Sequence, residues 1–173
     1  MGLKPIISLR FSDINGVLKE VLISEEKFEG ACSNGVWFDG SSIEGFARRF
    51  ESDMMLIPDT SFYYVINGIK TYFCDVYKAG KPFEGDPRTV LKKVLKDVHE
   101  RLGFRLVAAG ELEFYILRDH EPIDGGSYFD VSPRDKANLI KIAIAEKLSE
   151  ARIAWSMGHH EVGPGQNLSL IHI

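Results

Sequence analysis

Hydrophobic positions gather in two β-rich runs, residues 5–11 and 17–23, which read as strands. Asp13-Ile14-Asn15-Gly16 separates the two runs, and Asn-Gly tolerates the positive φ of a tight hairpin turn. A short helix is predicted from Ser24 as N-cap, with Lys27 and Phe28 inside it. Further β-rich runs at 36–38, 54–57, 62–66 and 71–77 complete a small mixed sheet with one helix. Between Lys78 and Asp86 the pattern gives way to Gly, Pro and charge, which marks a domain boundary.

Beyond that boundary the apolar period becomes helical. Asp86 caps and Pro87 opens a helix reaching Leu102, with Val90, Leu91, Val94, Leu95 and Val98 as its buried stripe and Gly103 ending it. An apolar strand at 107–117 follows, then an Asp124-Gly125-Gly126 turn and a short strand at 128–131. Ser132-Pro133 starts a second helix carrying Leu139, Ile140, Ile142, Ala143, Ile144 and Leu148, and the apolar run at 153–162 reads as a final strand. The expected class is α+β, with only part of a sheet in the second unit.

Composition narrows the partners. The 173 residues, 45% of them hydrophobic, are enough for one domain or two small ones with a real core. A net charge of -4 and a pI near 5.7 give no general attraction to nucleic acid or anionic membrane, in spite of the local Arg48-Arg49 pair. No nucleic-acid or membrane partner is expected. Cys32 and Cys74 are too few for a disulfide framework, and neither a leader pattern nor a membrane-length apolar run is seen, so a cytoplasmic location with reduced thiols is the expectation.

The chemistry concentrates on carboxylates. Glu111 and Glu113 alternate with Leu112 and Phe114, so both acids leave one face of the strand, about 6 to 7 Å apart. Such a pair can be the wet face of an amphipathic strand, or it can hold a divalent cation that relieves the repulsion. His159 and Glu161 share a face of the last strand beside Gly163-Pro164-Gly165-Gln166 and add metal-type ligands. Three glutamates favour hard Mg²⁺ or Mn²⁺ over zinc, for which no His-Glu-x-x-His spacing exists.

Phe38-Asp39-Gly40-Ser41-Ser42-Ile43-Glu44-Gly45-Phe46, Glu51-Ser52-Asp53-Met54, Pro58-Asp59, Glu84-Gly85-Asp86-Pro87-Arg88, Glu111-Leu112-Glu113-Phe114 and His159-His160-Glu161-Val162-Gly163-Pro164-Gly165-Gln166 occur in that order. Together they resemble glutamine synthetase. The resemblance implies a β-grasp N-terminal domain at 1–82 and the N-terminal part of a glutamine synthetase-type catalytic α+β domain at 86–167, in a family whose members are more than twice as long. It also implies ATP-dependent amidation of glutamate by ammonium through a γ-glutamyl phosphate, with ATP as substrate. Glu113 and Glu161 would share one Mg²⁺ or Mn²⁺ and Glu111 would hold another beside the phosphates. Asp39, with Ser42 as hydrogen-bonding neighbour, would attract ammonium and take up its proton, because only neutral ammonia is a nucleophile. Asp39 would act in the cleft of a neighbouring subunit, in a homo-oligomer expected to be a dodecamer. Arg48 matches a position linked to glutamine feedback in some members.

The pattern departs in two places. Ser156 stands where the family has an acidic residue that contacts nucleotide, and Leu168 stands where the family continues with a metal-binding Glu after Gly165-Gln166-Asn167. Residues 168–173 can be encoded by a transposon end used in preparing sequencing libraries, so they are expected to be a non-native tail. The chain as written is expected to be inactive, and its partial sheet prone to association. Two other readings are a related glutamate–amine ligase and a non-catalytic interaction fragment built on the β-grasp unit. A metal hydrolase is disfavoured, since no nucleophile motif is present.

Overall fold

The computed structural model describes residues 5–47 and 53–172; Arg48, Arg49, Glu51 and Ser52 lie outside them. The chain divides into two compact units, Met1–Leu106 and Val107–Ile173.

In the first unit, β1 (Ile6–Ser12) and β2 (Leu18–Ser24) form the expected hairpin. Its loop is held by the Asp13 carboxylate, which accepts from Asn15 N and Val17 N at 2.9 Å each, while Gly16 takes φ +78°. A 3-10 turn, Glu25–Lys27, precedes α1 (Phe28–Asn34), and Ser24 makes no side-chain capping bond there. Then come β3 (Val36–Asp39), β4 (Asp53–Pro58), β5 (Tyr64–Ile66), β6 (Ile69–Lys78) and β7 (Lys81–Pro82). The sheet runs β2-β1-β6-β4-β3, with β1 and β6 parallel and β5 and β7 also paired to β6. The strand expected at 62–66 is shorter, because Asp59 draws Ser61 N and Oγ into a turn at 3.0 and 2.6 Å. Alternate residues Ile7, Leu9 and Phe11, Met54 and Leu56, and Tyr72, Cys74 and Val76 fill the core, which is the period-2 pattern realised.

The helix α2 (Pro87–Leu102) has the predicted ends. The buried Asp86 carboxylate accepts from Thr89 N at 3.0 Å and Thr89 Oγ1 at 2.9 Å, and Gly103 closes the helix at φ +70°. Its predicted buried stripe is a correction: Val90, Leu91, Val94 and Leu95 remain 38–57% exposed. The helix is tied to the sheet by charge instead, with Arg88 Nε donating to Asp75 at 2.8 Å, Arg88 also bonded to Asp59, and Lys92 Nζ reaching Asp75 at 2.6 Å.

In the second unit, β8 (Ala109–Tyr115) leads into a small hairpin of β9 (Leu117–Arg118) and β10 (Glu121–Pro122). After α3 (Asn138–Glu150) come β11 (Ala154–His160) and β12 (Gln166–His172), in an antiparallel sheet ordered β11-β12-β8. Two expectations are corrected. Residues 128–131 form no strand, because Ser127 N donates to Asp130 Oδ2 at 2.8 Å and Asp130 N to Ser127 O at 3.0 Å, which closes a turn. The second helix starts at Asn138 and not at Ser132-Pro133, since the Asp135 carboxylate holds Ala137 N at 2.8 Å in the preceding turn.

On α3 a charged residue faces inward. Leu139, Ile140 and Ile142 are exposed, while Lys141 is buried with its ammonium on Asp135 Oδ2 at 2.6 Å and Asn167 Oδ1 at 2.8 Å. Sequence reading sets 168–173 apart as a tail, and residues 168–172 lie in the middle strand of this sheet. There Ser169 Oγ is buried with no hydrogen-bond partner among the described residues.

Candidate functional site

Strand alternation on β8 sends Glu111 and Glu113 to one face, and pairing through β12 decides what shares it. Glu113 pairs with Leu168 and Leu168 with His159; Glu111 pairs with Leu170 and Leu170 with Met157. Directly paired residues project from the same side, so Glu111, Glu113 and His159 belong to one face. Glu161 follows two residues after His159, its amide donating to Gln166 O at 2.8 Å. Its carboxylate oxygen Oε1 lies 3.4 Å from His159 Nδ1.

Exposure differs along this face. Glu111 and Glu113 are exposed, whereas His159 and Glu161 are largely covered. The Tyr128 and Phe129 rings stand edge-on to the His159 imidazole, with centroids 5.2 and 4.5 Å away. His159 Nδ1 faces two acceptors, the His160 carbonyl at 3.1 Å and the Glu161 carboxylate at 3.4 Å, so it is the donor nitrogen of the ring. Glu113 Oε2 accepts from Gln166 Nε2 at 2.9 Å. Among the described residues no three His, Cys, Asp or Glu side chains already enclose a common point suited to a metal ion. The donor types on the face, carboxylate oxygen and one imidazole, nevertheless suit a hard divalent ion.

Behind Glu161 lies a buried polar cluster that sequence reasoning missed. His160 is fully buried, with Nε2 2.9 Å from Asp124 Oδ1 and Nδ1 2.6 Å from the Glu161 carbonyl. Burial works against the charged imidazolium, but the bonds to Asp124 and to the Glu161 carbonyl outweigh it and hold His160 above its ordinary value. Burial likewise opposes the Asp124 carboxylate, yet donors from His160, Lys136 N, Gly126 N and Gly165 N push it down to about 2. Asp124 reads as a turn residue, and no periodicity marks it. The nearest signal is the glycine beside it: a Cβ on Gly126 would come within 2.7 Å of His160 Nε2.

In the first unit, Asp39 ends β3 and caps the 3-10 turn Gly40–Ser42. Its Oδ1 accepts from Ser41 N at 2.9 Å and Ser41 Oγ at 2.6 Å, and its Oδ2 accepts from Ser42 Oγ at 3.0 Å. Asp39 is exposed. Ser156 is exposed on β11.

Comparison with known proteins matches residues 4–79 to the glutamine synthetase β-grasp domain and residues 84–168 to the glutamine synthetase catalytic domain. The chain is 42% identical to glutamine synthetase of Thermotoga maritima and 37% identical to that of Methanococcus voltae, each alignment covering 93% of this chain and 40% of the relative. Among solved structures, Plasmodium falciparum glutamine synthetase superimposes with a TM-score of 0.74 at 21% identity, over 98% of this chain and 42% of that one. A novel glutamine synthase homologue superimposes with a TM-score of 0.78 at 16% identity, over 99% and 44%. The chain thus spans about two fifths of the length of the relatives it matches. Two matched domains in sequence, and a fold shared with solved members, place this chain in the glutamine synthetase family.

Proposed function

We propose that the full-length protein to which these residues correspond is an ATP-dependent glutamate–ammonia ligase. The observation that carries this reading is the row Glu113–Leu168–His159, with Glu111 on the same face and the Glu161 carboxylate 3.4 Å from His159 Nδ1. Glu113 and Glu161 would hold one Mg²⁺ or Mn²⁺ and Glu111 another, and the bound ions would supply charge neutralisation for the phosphoryl group in transfer. The His159 ring, packed by Tyr128 and Phe129, belongs to the same face.

Asp39 would serve the ammonium. Its carboxylate is oriented by the Ser41 and Ser42 hydroxyls and lies open to solvent, which suits attraction of a small cation and uptake of its proton. Glutamate, ammonium and ATP would be the substrates, and the active form a homo-oligomer, a dodecamer by the resemblance, in the cytoplasm. The 173 residues alone would be inactive.

Expression of the complete reading frame should give glutamine and ADP in step, dependent on Mg²⁺ or Mn²⁺. Glu113→Gln should lower kcat at least about 100-fold. Turnover with polyamines in place of ammonium would move the assignment to a glutamate–amine ligase, and full activity in Glu113→Gln would remove the metal role.

A further inference from the structure

The chain of hydrogen bonds behind the acidic face joins its two ends. His160 faces an acceptor at each ring nitrogen, Asp124 Oδ1 at 2.9 Å and the Glu161 carbonyl at 2.6 Å. Both ring nitrogens are thus held within hydrogen-bond distance of the chain. The same Asp124 oxygen accepts from Gly165 N at 3.1 Å. One buried carboxylate therefore holds both sides of the turn after Glu161, the carbonyl of 161 through His160 and the amide of 165 directly. The turn is closed by Gln166 N donating to Gly163 O at 2.9 Å.

From this turn Gln166 reaches across to β8. Its Oε1 accepts from Gly163 N at 3.1 Å, and its Nε2 donates to Glu113 Oε2 at 2.9 Å. An exposed glutamate otherwise samples several rotamers, and ordering it on metal binding opposes affinity. We propose that Asp124, His160 and Gln166 form a hydrogen-bonded frame that sets Glu161 and Glu113 in fixed relation, and that all three are positioning residues for the metal face. The proposal rests on the metal reading of Glu111, Glu113 and Glu161. The space around the frame is tight: a Cβ on Gly163 would meet Gln166 Oε1 at 2.7 Å.

The test is Mn²⁺ binding to the 173-residue chain, followed by electron paramagnetic resonance, with near-ultraviolet circular dichroism reporting the fold. Asp124→Asn and Gln166→Ala should each weaken Mn²⁺ about tenfold in chains whose dichroism matches the parent. Ile144→Ala, a packing change on α3, should lower the melting temperature and leave Mn²⁺ affinity within about twofold. Should Asp124→Asn fail to fold, Gln166→Ala decides alone, since its side chain is partly exposed. Parent-like affinity in Gln166→Ala, or an equal loss in Ile144→Ala, overturns the frame. If Glu161→Gln weakens Mn²⁺ but Gln166→Ala does not, only the frame fails. If Glu161→Gln leaves Mn²⁺ binding unchanged, the metal reading fails and the frame with it.

Discussion

Single side chains decide how the acidic face is held. Asp124 is the clearest case, because one carboxylate takes donors from His160, Gly126, Gly165 and Lys136. Its folded-state value of about 2 lies below the ordinary 3.8, so its contribution is full above about pH 4 and is lost as pH falls towards 2. The size of the shift corresponds to roughly 2 kcal/mol. Asp124→Asn should remove that acid limb: urea midpoints of parent and variant should differ at pH 6 and converge near pH 2. Glu111 and Glu113 stand out in sequence because charge interrupts an apolar strand, whereas Asp124 sits in a Gly-rich turn where aspartate is ordinary. Its role comes from partners at 136, 160 and 165, a long-range coincidence that local pattern does not encode.

At the level of elements, local signals worked where local chemistry dominates. The Asp13–Gly16 loop and the Asp86 and Gly103 helix ends follow from hydrogen bonds within a few residues, and the sequence marks them plainly. The stripe of α2 expected to be buried stays partly exposed because charge ties the helix down, Arg88 and Lys92 on Asp75; Lys141 anchors α3 in the same way on Asp135 and Asn167. Apolar period alone cannot anticipate an anchor made of salt bridges. β12 shows what register adds. Leu168 stands directly between Glu113 and His159, so a carboxylate at 168 would project into the middle of the acidic face. Leu168→Glu should therefore lower the melting temperature without metal, through like-charge repulsion, and tighten Mn²⁺ about tenfold or more. Calorimetry with and without Mn²⁺ would read both signs; unchanged binding would contradict the register argument.

For the whole molecule, fold class and family were readable because short motifs recur in fixed order along nearly the full length, and the two family domains match residues 4–79 and 84–168. Surface was less readable. Val90, Leu91, Val94 and Leu95 form a partly exposed apolar stripe on α2. Exposed apolar area of this kind drives association. The chain should self-associate with rising concentration in sedimentation velocity, and Leu91→Lys with Leu95→Glu should reduce it; a monomer at all concentrations would show that the stripe is inert.

β8 and β11 are not neighbours in the sheet; each pairs with β12 between them. Backbone pairing asks for an extended chain and takes little notice of which side chains it carries, so the spacing between Glu113 and His159 is set by a strand most of whose residues lie past the end of the matched catalytic domain at 168. Whatever polypeptide occupies that lane acts as the keystone of the arch. Glu113 and His159, on either side, can keep their distance under many letterings of the strand between them.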